Sequence, residues 1–305
     1  MAAFDISMLS VANGAPVMPL GLHREDVDAS RYPWSAIGKL YNETGGFCSG
    51  VVISRDKILT AAHCIFNSRT RRFIPADSLH FLAGYRVGRY ITHARIASYE
   101  IGPGFDPLRY EETSSADWAV LTVTEDLPER IAPLRLSDTI SPSGTKAVIV
   151  GYPQDRAFAM TADGDCEVRE KISSGRLLLH TCRGIKGYSG APILVNAGGE
   201  EMQIAGIQIA TFQSAGIDKM IAVPAQVIRD HARVRTAPVP PMSPSSESEL
   251  KAVSDVSDGV GRGFNAQWDD LDYSADVVSS FTTHDRLELI VLPSLDVNSL
   301  QLTAP

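Results

Sequence analysis

Ser189 lies in the run Arg183-Gly184-Ile185-Lys186-Gly187-Tyr188-Ser189-Gly190-Ala191-Pro192, where a hydroxyl is flanked by glycines and followed by a small residue and a proline. A serine hydroxyl is a weak nucleophile at neutral pH. It needs a base to take its proton and donors to hold the charge that develops on an attacked carbonyl oxygen. Gly187 and Gly190 permit backbone conformations closed to other residues, which would let the Gly187 and Ser189 amides converge as an oxyanion hole. The plainer reading of the same residues is a tight turn before a strand over Ala191 to Val195. The candidate base is His63, in Thr60-Ala61-Ala62-His63-Cys64, directly after an apolar run that reads as a strand. His23, His80, His93, His180, His231 and His284 lack the small alanines that would let an imidazole lie close to a neighbouring strand. His180 is nearest to Ser189 in sequence, but Leu177-Leu178-Leu179 marks it as a strand residue. Asp117 stands at the mouth of the alternating run Trp118 to Val123, which would bury its carboxylate against His63 and fix the imidazole tautomer. Asp106, Glu111 and Glu112, in the Gly/Pro-rich acidic loop before it, are the other carboxylates on offer.

In the order His63, Asp117, Ser189, these motifs resemble the chymotrypsin-like serine proteases, in particular the bacterial branch related to glutamyl endopeptidases of the staphylococcal V8 type. The same three residues run in other orders on other folds. Arg31-Tyr32-Pro33-Trp34-Ser35-Ala36-Ile37-Gly38 looks like the first barrel strand and Phe47-Cys48-Ser49-Gly50 like the second, so that the resemblance spans roughly residues 20 to 235. It implies an all-β fold of two antiparallel barrels with a short C-terminal helix. It also implies a serine endopeptidase in which Ser189 attacks a peptide carbonyl, His63 shuttles the proton and Asp117 orients His63. Ile209-Ala210-Thr211 would pair with the substrate backbone as an added strand, and Arg183, Gly184 and Gln208 would face the specificity pocket. Tyr188 stands where animal relatives carry the Asp that binds a newly cut N-terminus, so activation by that ion pair is not expected. Gln208 replaces the His, and Gly184 the Thr or Ser, of glutamyl-specific relatives, and Arg183 replaces the acidic residue of the trypsin type. Cleavage after Lys or Arg is therefore not expected, and a small or acidic residue before the cut is. The rival readings are a silent protease fold that only binds, and an esterase or acyl-transfer enzyme using the same triad.

The supporting elements read as short strands separated by turns, as in an all-β barrel or sandwich. Gly50 to Ser54, the Arg55-Asp56 turn and Lys57 to Thr60 make a hairpin that carries His63. Strands are expected at Leu79 to Ala83 and Tyr90 to Ser98, and Pro133 to Thr145 connects the barrels. The second barrel begins near Ala147 and continues through Cys166 to Val168, Arg176 to Cys182, and a hairpin of Ile193 to Val195 with Met202 to Ile209. A helix opening at Val223-Pro224, where proline's missing N–H is harmless, runs to about Val234.

The 305 residues, 44% of them hydrophobic, suffice for one large core and something more. Residues 1 to 30 read as a leader or a strap over the second barrel, 31–235 as the protease domain, 236–246 as a Pro/Ser linker and 247–305 as an acidic, mostly disordered tail. In that tail only Leu287 to Leu292 reads as a strand. The net charge of −8 lies wholly in residues 246 to 305, with three basic and eleven acidic residues. The neutral remainder argues against a nucleic-acid partner, which needs a basic face. No metal-ligand cluster, phosphate loop or cofactor motif is present, no stretch approaches the length of a membrane span, and the expected partner is a protein or peptide substrate. The four cysteines permit three disulfide connectivities. Hairpin geometry favours Cys48 with Cys64 and Cys166 with Cys182, and the resemblance also implies the first. Disulfides point to a secreted or periplasmic protein, although Met1 to Leu20 shows neither the basic start nor the apolar run of a signal peptide.

Overall fold

A computed structural model describes residues 24–43, 45–196, 201–214 and 217–232. Six strands close the first barrel: β1 (Ile37–Asn42), β2 (Phe47–Ser54), β3 (Lys57–Thr60), β4 (Leu79–Ala83), β5 (Thr92–Ile101) and β6 (Ala119–Val123), in the order β1-β2-β3-β6-β5-β4. Six more form the second: β7 (Lys146–Gly151), β8 (Thr161–Ile172), β9 (Leu177–His180), β10 (Pro192–Asn196), β11 (Met202–Ser214) and β12 (Ile217–Pro224). Their order is β8-β7-β10-β11-β12-β9, and pairing of β8 with β9 closes the ring. All pairings within both barrels are antiparallel. Closure pairs the strands around each ring, but beyond Gln208 the strand β11 pairs with β12 alone, so its other side stays open there. The helix Ala225–His231 follows β12 with Pro224 at its N-cap.

Period-two alternation sorts side chains between the interior of the second barrel and the junction with the first. In β7, Ala147 and Ile149 join one buried cluster while Val148 and Val150 join the other. In β9 the division is Leu178 against Leu177 and Leu179, and in β10 Ile193 and Val195 against Leu194. Strands buried on both faces need near-continuous apolar runs, which Ala147-Val148-Ile149-Val150 and Leu177-Leu178-Leu179 supply, each fully buried Leu, Ile or Val contributing about 1.5–3 kcal/mol.

Two expectations shift. The segment Arg31 to Gly38 is not a strand throughout, because Ser35 N–H bonds to Arg31 O and Ala36 N–H to Pro33 O in a local turn, and the strand begins at Ile37. Strands β5, β8 and β11 run longer than the apolar runs that signalled them. The disulfides are Cys48–Cys64 and Cys166–Cys182, with Cα separations of 6.0 and 4.6 Å; each closes a short loop, for about 3 kcal/mol by the chain-entropy argument. Glu25–Asp26 pairs with Thr161 and Ala162 of β8. The linker, the acidic tail and Leu287 to Leu292 lie outside the described residues.

Candidate active site

His63 sits in a single 3-10 turn, Ala62–Ile65, immediately after β3. Its Nδ1–H donates to Asp117 Oδ2 at 2.6 Å and its backbone N–H to Asp117 Oδ1 at 2.8 Å. Asp117 has no solvent exposure, so both oxygens depend on protein donors. Burial opposes charge on the imidazole, but the charge and hydrogen bond of Asp117 outweigh it and raise the pKa of His63 above its ordinary value. Of the competing carboxylates, Asp106 caps a helical turn by accepting from Leu108 N–H at 3.0 Å, and Glu111 and Glu112 are exposed.

A residue that sequence reasoning passed over completes this group. Tyr110 Oη donates to Asp117 Oδ2 at 2.8 Å and lies 3.2 Å from Ile209 O, and its ring meets that of His63 edge-on with centroids 6.2 Å apart. The phenol is held well above its ordinary pKa by burial, by the Asp117 charge and by the hydrogen bond, so it stays a donor at every working pH. The capped loop of Asp106 to Thr113 delivers it. An aromatic inside an acidic loop just before Asp117 was the available signal.

Ser189 is carried between β9 and β10 by a loop that leans on β2. Ser49 is the hub: its N–H donates to Ser189 O at 2.9 Å, its Oγ donates to Gly187 O at 2.8 Å and accepts from Tyr152 N–H at 2.9 Å, and its carbonyl accepts from Thr60 Oγ1 at 2.8 Å. Gly190 has φ 76°, and a Cβ there would stand 2.3 Å from both Ser49 O and Thr60 Oγ1. That close approach brings the Ser189 loop against the end of β3, two to three residues before His63. Gly187 has φ 94°, and a Cβ there would stand 2.2 Å from Tyr152 O. Among the described residues, no acceptor takes the N–H of Gly187 or of Ser189, whereas those of Tyr188, Gly190 and Ala191 are all used. Among the described residues no hydrogen bond joins His63 to Ser189.

The expected pocket residues come together in part. Gly184 packs under the Gln208 amide, with Gln208 Nε2 2.9 Å and Met220 Sδ 3.2 Å from the place a Cβ would take, and Thr211 Oγ1 donates to Gly184 O at 3.3 Å. Gln208 Nε2 donates to Ala210 O at 2.7 Å, so its Oε1 faces His180 Nε2, also at 2.7 Å, and that nitrogen carries the proton. Burial pulls His180 down to about 4 despite the Gln208 hydrogen bond, which keeps it neutral. Arg183 departs from the group: its side chain is exposed, and only its N–H is held, by buried Asp163 at 2.9 Å. Tyr188 is fully buried with its hydroxyl 2.5 Å from Thr161 Oγ1, and burial pushes it up to about 12. Cys48, His63 and Cys64 are the one group among the described residues with metal-ligand spacing, but both sulfurs are committed to a disulfide and His63 Nδ1 to Asp117.

The model of the trypsin-like peptidase domain matches residues 48–201, half of the chain. Serine protease SP24D of Anopheles gambiae is 28% identical over 177 residues, covering 49% of this chain and 58% of that protein. Trypsin theta of Drosophila melanogaster is 26% identical over 150 residues, covering 47% and 53%. The chain thus spans a little over half the length of these curated relatives. A Glu endopeptidase solved in complex with MPD shares the fold, with a TM-score of 0.56, 20% identity, and coverage of 69% of this chain and 95% of that one. With its barrels, disulfides and matched residues taken together, the chain belongs to the trypsin-like peptidase domain family.

Proposed function

We propose that this protein is a serine endopeptidase that works through His63, Asp117 and Ser189. The observation that carries the reading is a loop presenting Ser189 with two N–H groups, those of Gly187 and Ser189, that find no acceptor among the described residues, packed through Gly190 against Thr60 and Ala61, where the turn of a histidine already paired with a buried carboxylate begins. Ser189 Oγ attacks the peptide carbonyl carbon as His63 Nε2 takes its proton. The oxyanion is held by the two amides. Collapse expels the amine, which takes the proton from His63, and water then hydrolyses the acyl-enzyme by the same steps in reverse. Asp117 stabilises the imidazolium, and Tyr110 and the His63 N–H hold Asp117. Ile209, Ala210 and Thr211 offer a backbone edge for the substrate, and Gly184 and Gln208 receive the side chain before the cut. The two disulfides support a secreted or periplasmic setting.

The deciding experiment is stoichiometric labelling by a fluorophosphonate with the adduct mapped to Ser189, followed by turnover of a peptide library. A silent fold would give no adduct, and an esterase would label but leave peptides intact. Because His63 must be neutral to act as base and its pKa is raised, kcat/KM should fall as pH drops, with a midpoint above the ordinary histidine value of 6.5; a pH–rate profile with its acid limb below that value would contradict the pairing. In the library, Lys and Arg before the cut should be disfavoured, since the atoms nearest to a side chain at Gly184 are those of the neutral Gln208 amide and Met220 Sδ. Strong Lys or Arg preference would overturn the pocket assignment.

A further inference from the structure

Over Phe47, whose ring borders Gly187, stands a cation with no acidic partner among the described residues. Lys39, on β1, points its ammonium among three rings, 4.1 Å from the centroid of Phe47, 5.2 Å from Tyr85 and 5.7 Å from Phe158. It donates a hydrogen bond to Ala157 O at 3.1 Å. An ammonium has three donors, and no carboxylate pairs with this one among the described residues. Burial holds Lys39 down at about 8, below the ordinary lysine range, yet the group is still mainly charged at neutral pH.

Phe47 joins this cage to the site, for its ring edge lies 3.1 Å from the place a Gly187 Cβ would take. The surroundings are cationic too. The turn carrying Arg86 and Arg89 is fastened to the second barrel by Val87 N–H on Phe158 O and by Tyr152 Oη on Tyr85 O. Arg156 precedes the cage, and exposed Lys186 flanks Gly187. Against these stands Asp26, shared by Arg86 and Arg156, while Asp155 is taken by Arg24. Phe158 remains 49% exposed, leaving the cage open at its rim.

Resting on the peptidase reading for its orientation, we propose that Lys39, within its aromatic cage and cationic rim, is a subsite for an acidic side chain on the leaving-group side of the scissile bond. The acyl half of a substrate occupies the edge at Ile209 to Thr211 and the Gly184 pocket, so the half beyond the cut runs over Gly187 toward Phe47. The path from Gly187 across one phenyl ring to the ammonium is roughly 10 Å, which at about 3.3 Å per extended residue places the acid at the second or third residue past the cut. A carboxylate there would take the two free ammonium donors in a setting where rings exclude water, which makes a charged hydrogen bond stronger than at an open surface.

The test uses the full chain carrying Ser189→Ala, so that peptides bind without being cut, and a labelled peptide pair that differs only in Glu against Gln at the second and third positions past the cut. The Glu peptide should bind at least about tenfold tighter by fluorescence anisotropy, in line with a hydrogen bond in which both donor and acceptor are charged. Adding Lys39→Met should bring the ratio to about one, and Lys39→Arg should keep most of it. The preference should also fade as pH rises through about 8; Tyr85 is the titratable group among the rings facing Lys39. Equal affinity for the two peptides, no binding of either, or a ratio untouched by Lys39→Met overturns the subsite. Uncut peptides in the wild-type protein with the affinity ratio intact would sink the peptidase reading, and with it the placement past a cut, while leaving Lys39 as a site for acidic peptide side chains.

Discussion

Ser189→Ala should abolish labelling by a fluorophosphonate and lower kcat/KM on peptides by about five to six orders of magnitude, and His63→Ala should do nearly the same. Combining the two adds little, because a nucleophile without its base and a base without its nucleophile are equally idle. What survives should be the contribution of the Gly187 and Ser189 amides and of substrate binding. The fold itself should be indifferent to Ser189→Ala, since the contacts that seat the loop run through backbone atoms: Ser189 O to Ser49 N–H, Gly190 N–H to Gln208 O, and Gly187 O to Ser49 Oγ. An unchanged thermal midpoint beside lost turnover separates chemistry from unfolding. Full activity in Ser189→Ala would end the assignment.

The candidate site was legible where chemistry dictates residue type locally. A nucleophile between glycines, a histidine behind two alanines and an aspartate at a strand mouth are each local patterns, and the chain brings His63 and Asp117 within 2.6 Å. Ser49 was not legible, and Tyr110 was legible only as an aromatic within the acidic loop. Ser49 stands inside Phe47-Cys48-Ser49-Gly50, but its task is to join Gly187, Ser189 and Tyr152 across more than a hundred residues, and no local periodicity encodes that. Tyr110 reaches Asp117 only because Asp106 and Thr113 fold the intervening loop into a capped turn. The barrels were legible because a strand buried on both faces must read as an unbroken apolar run, as in Leu177-Leu178-Leu179. The start of β1 was not, since Pro33 and Trp34 carry strand-like apolar character into a turn whose hydrogen bonds are local. Lys39 alternates with buried neighbours as any half-exposed strand lysine would. Its cage is assembled from rings 8, 46 and 119 positions away in the chain, so only the fold reveals it.

Asp117→Asn should lower kcat/KM by about 10⁴ while leaving peptide affinity and the thermal midpoint nearly as they were, and the geometry dictates why. The backbone N–H of His63 points at Oδ1 from 2.8 Å and can only donate, so the asparagine oxygen must take that position. Its NH₂ then falls where Oδ2 stood, facing His63 Nδ1 at 2.6 Å and Tyr110 Oη at 2.8 Å. The tyrosine hydroxyl can turn and accept. The imidazole has one way to answer a donor at Nδ1, which is to present that nitrogen's lone pair and move its proton to Nε2. A ring protonated at Nε2 cannot take the proton from Ser189, so the base is lost although every heavy atom stays in place. Measured at the pH optimum, the loss should appear in the acylation rate with the peptide dissociation constant unchanged. Activity within tenfold of wild type would show that Asp117 does not set the tautomer, and that the 2.6 Å contact serves the fold alone.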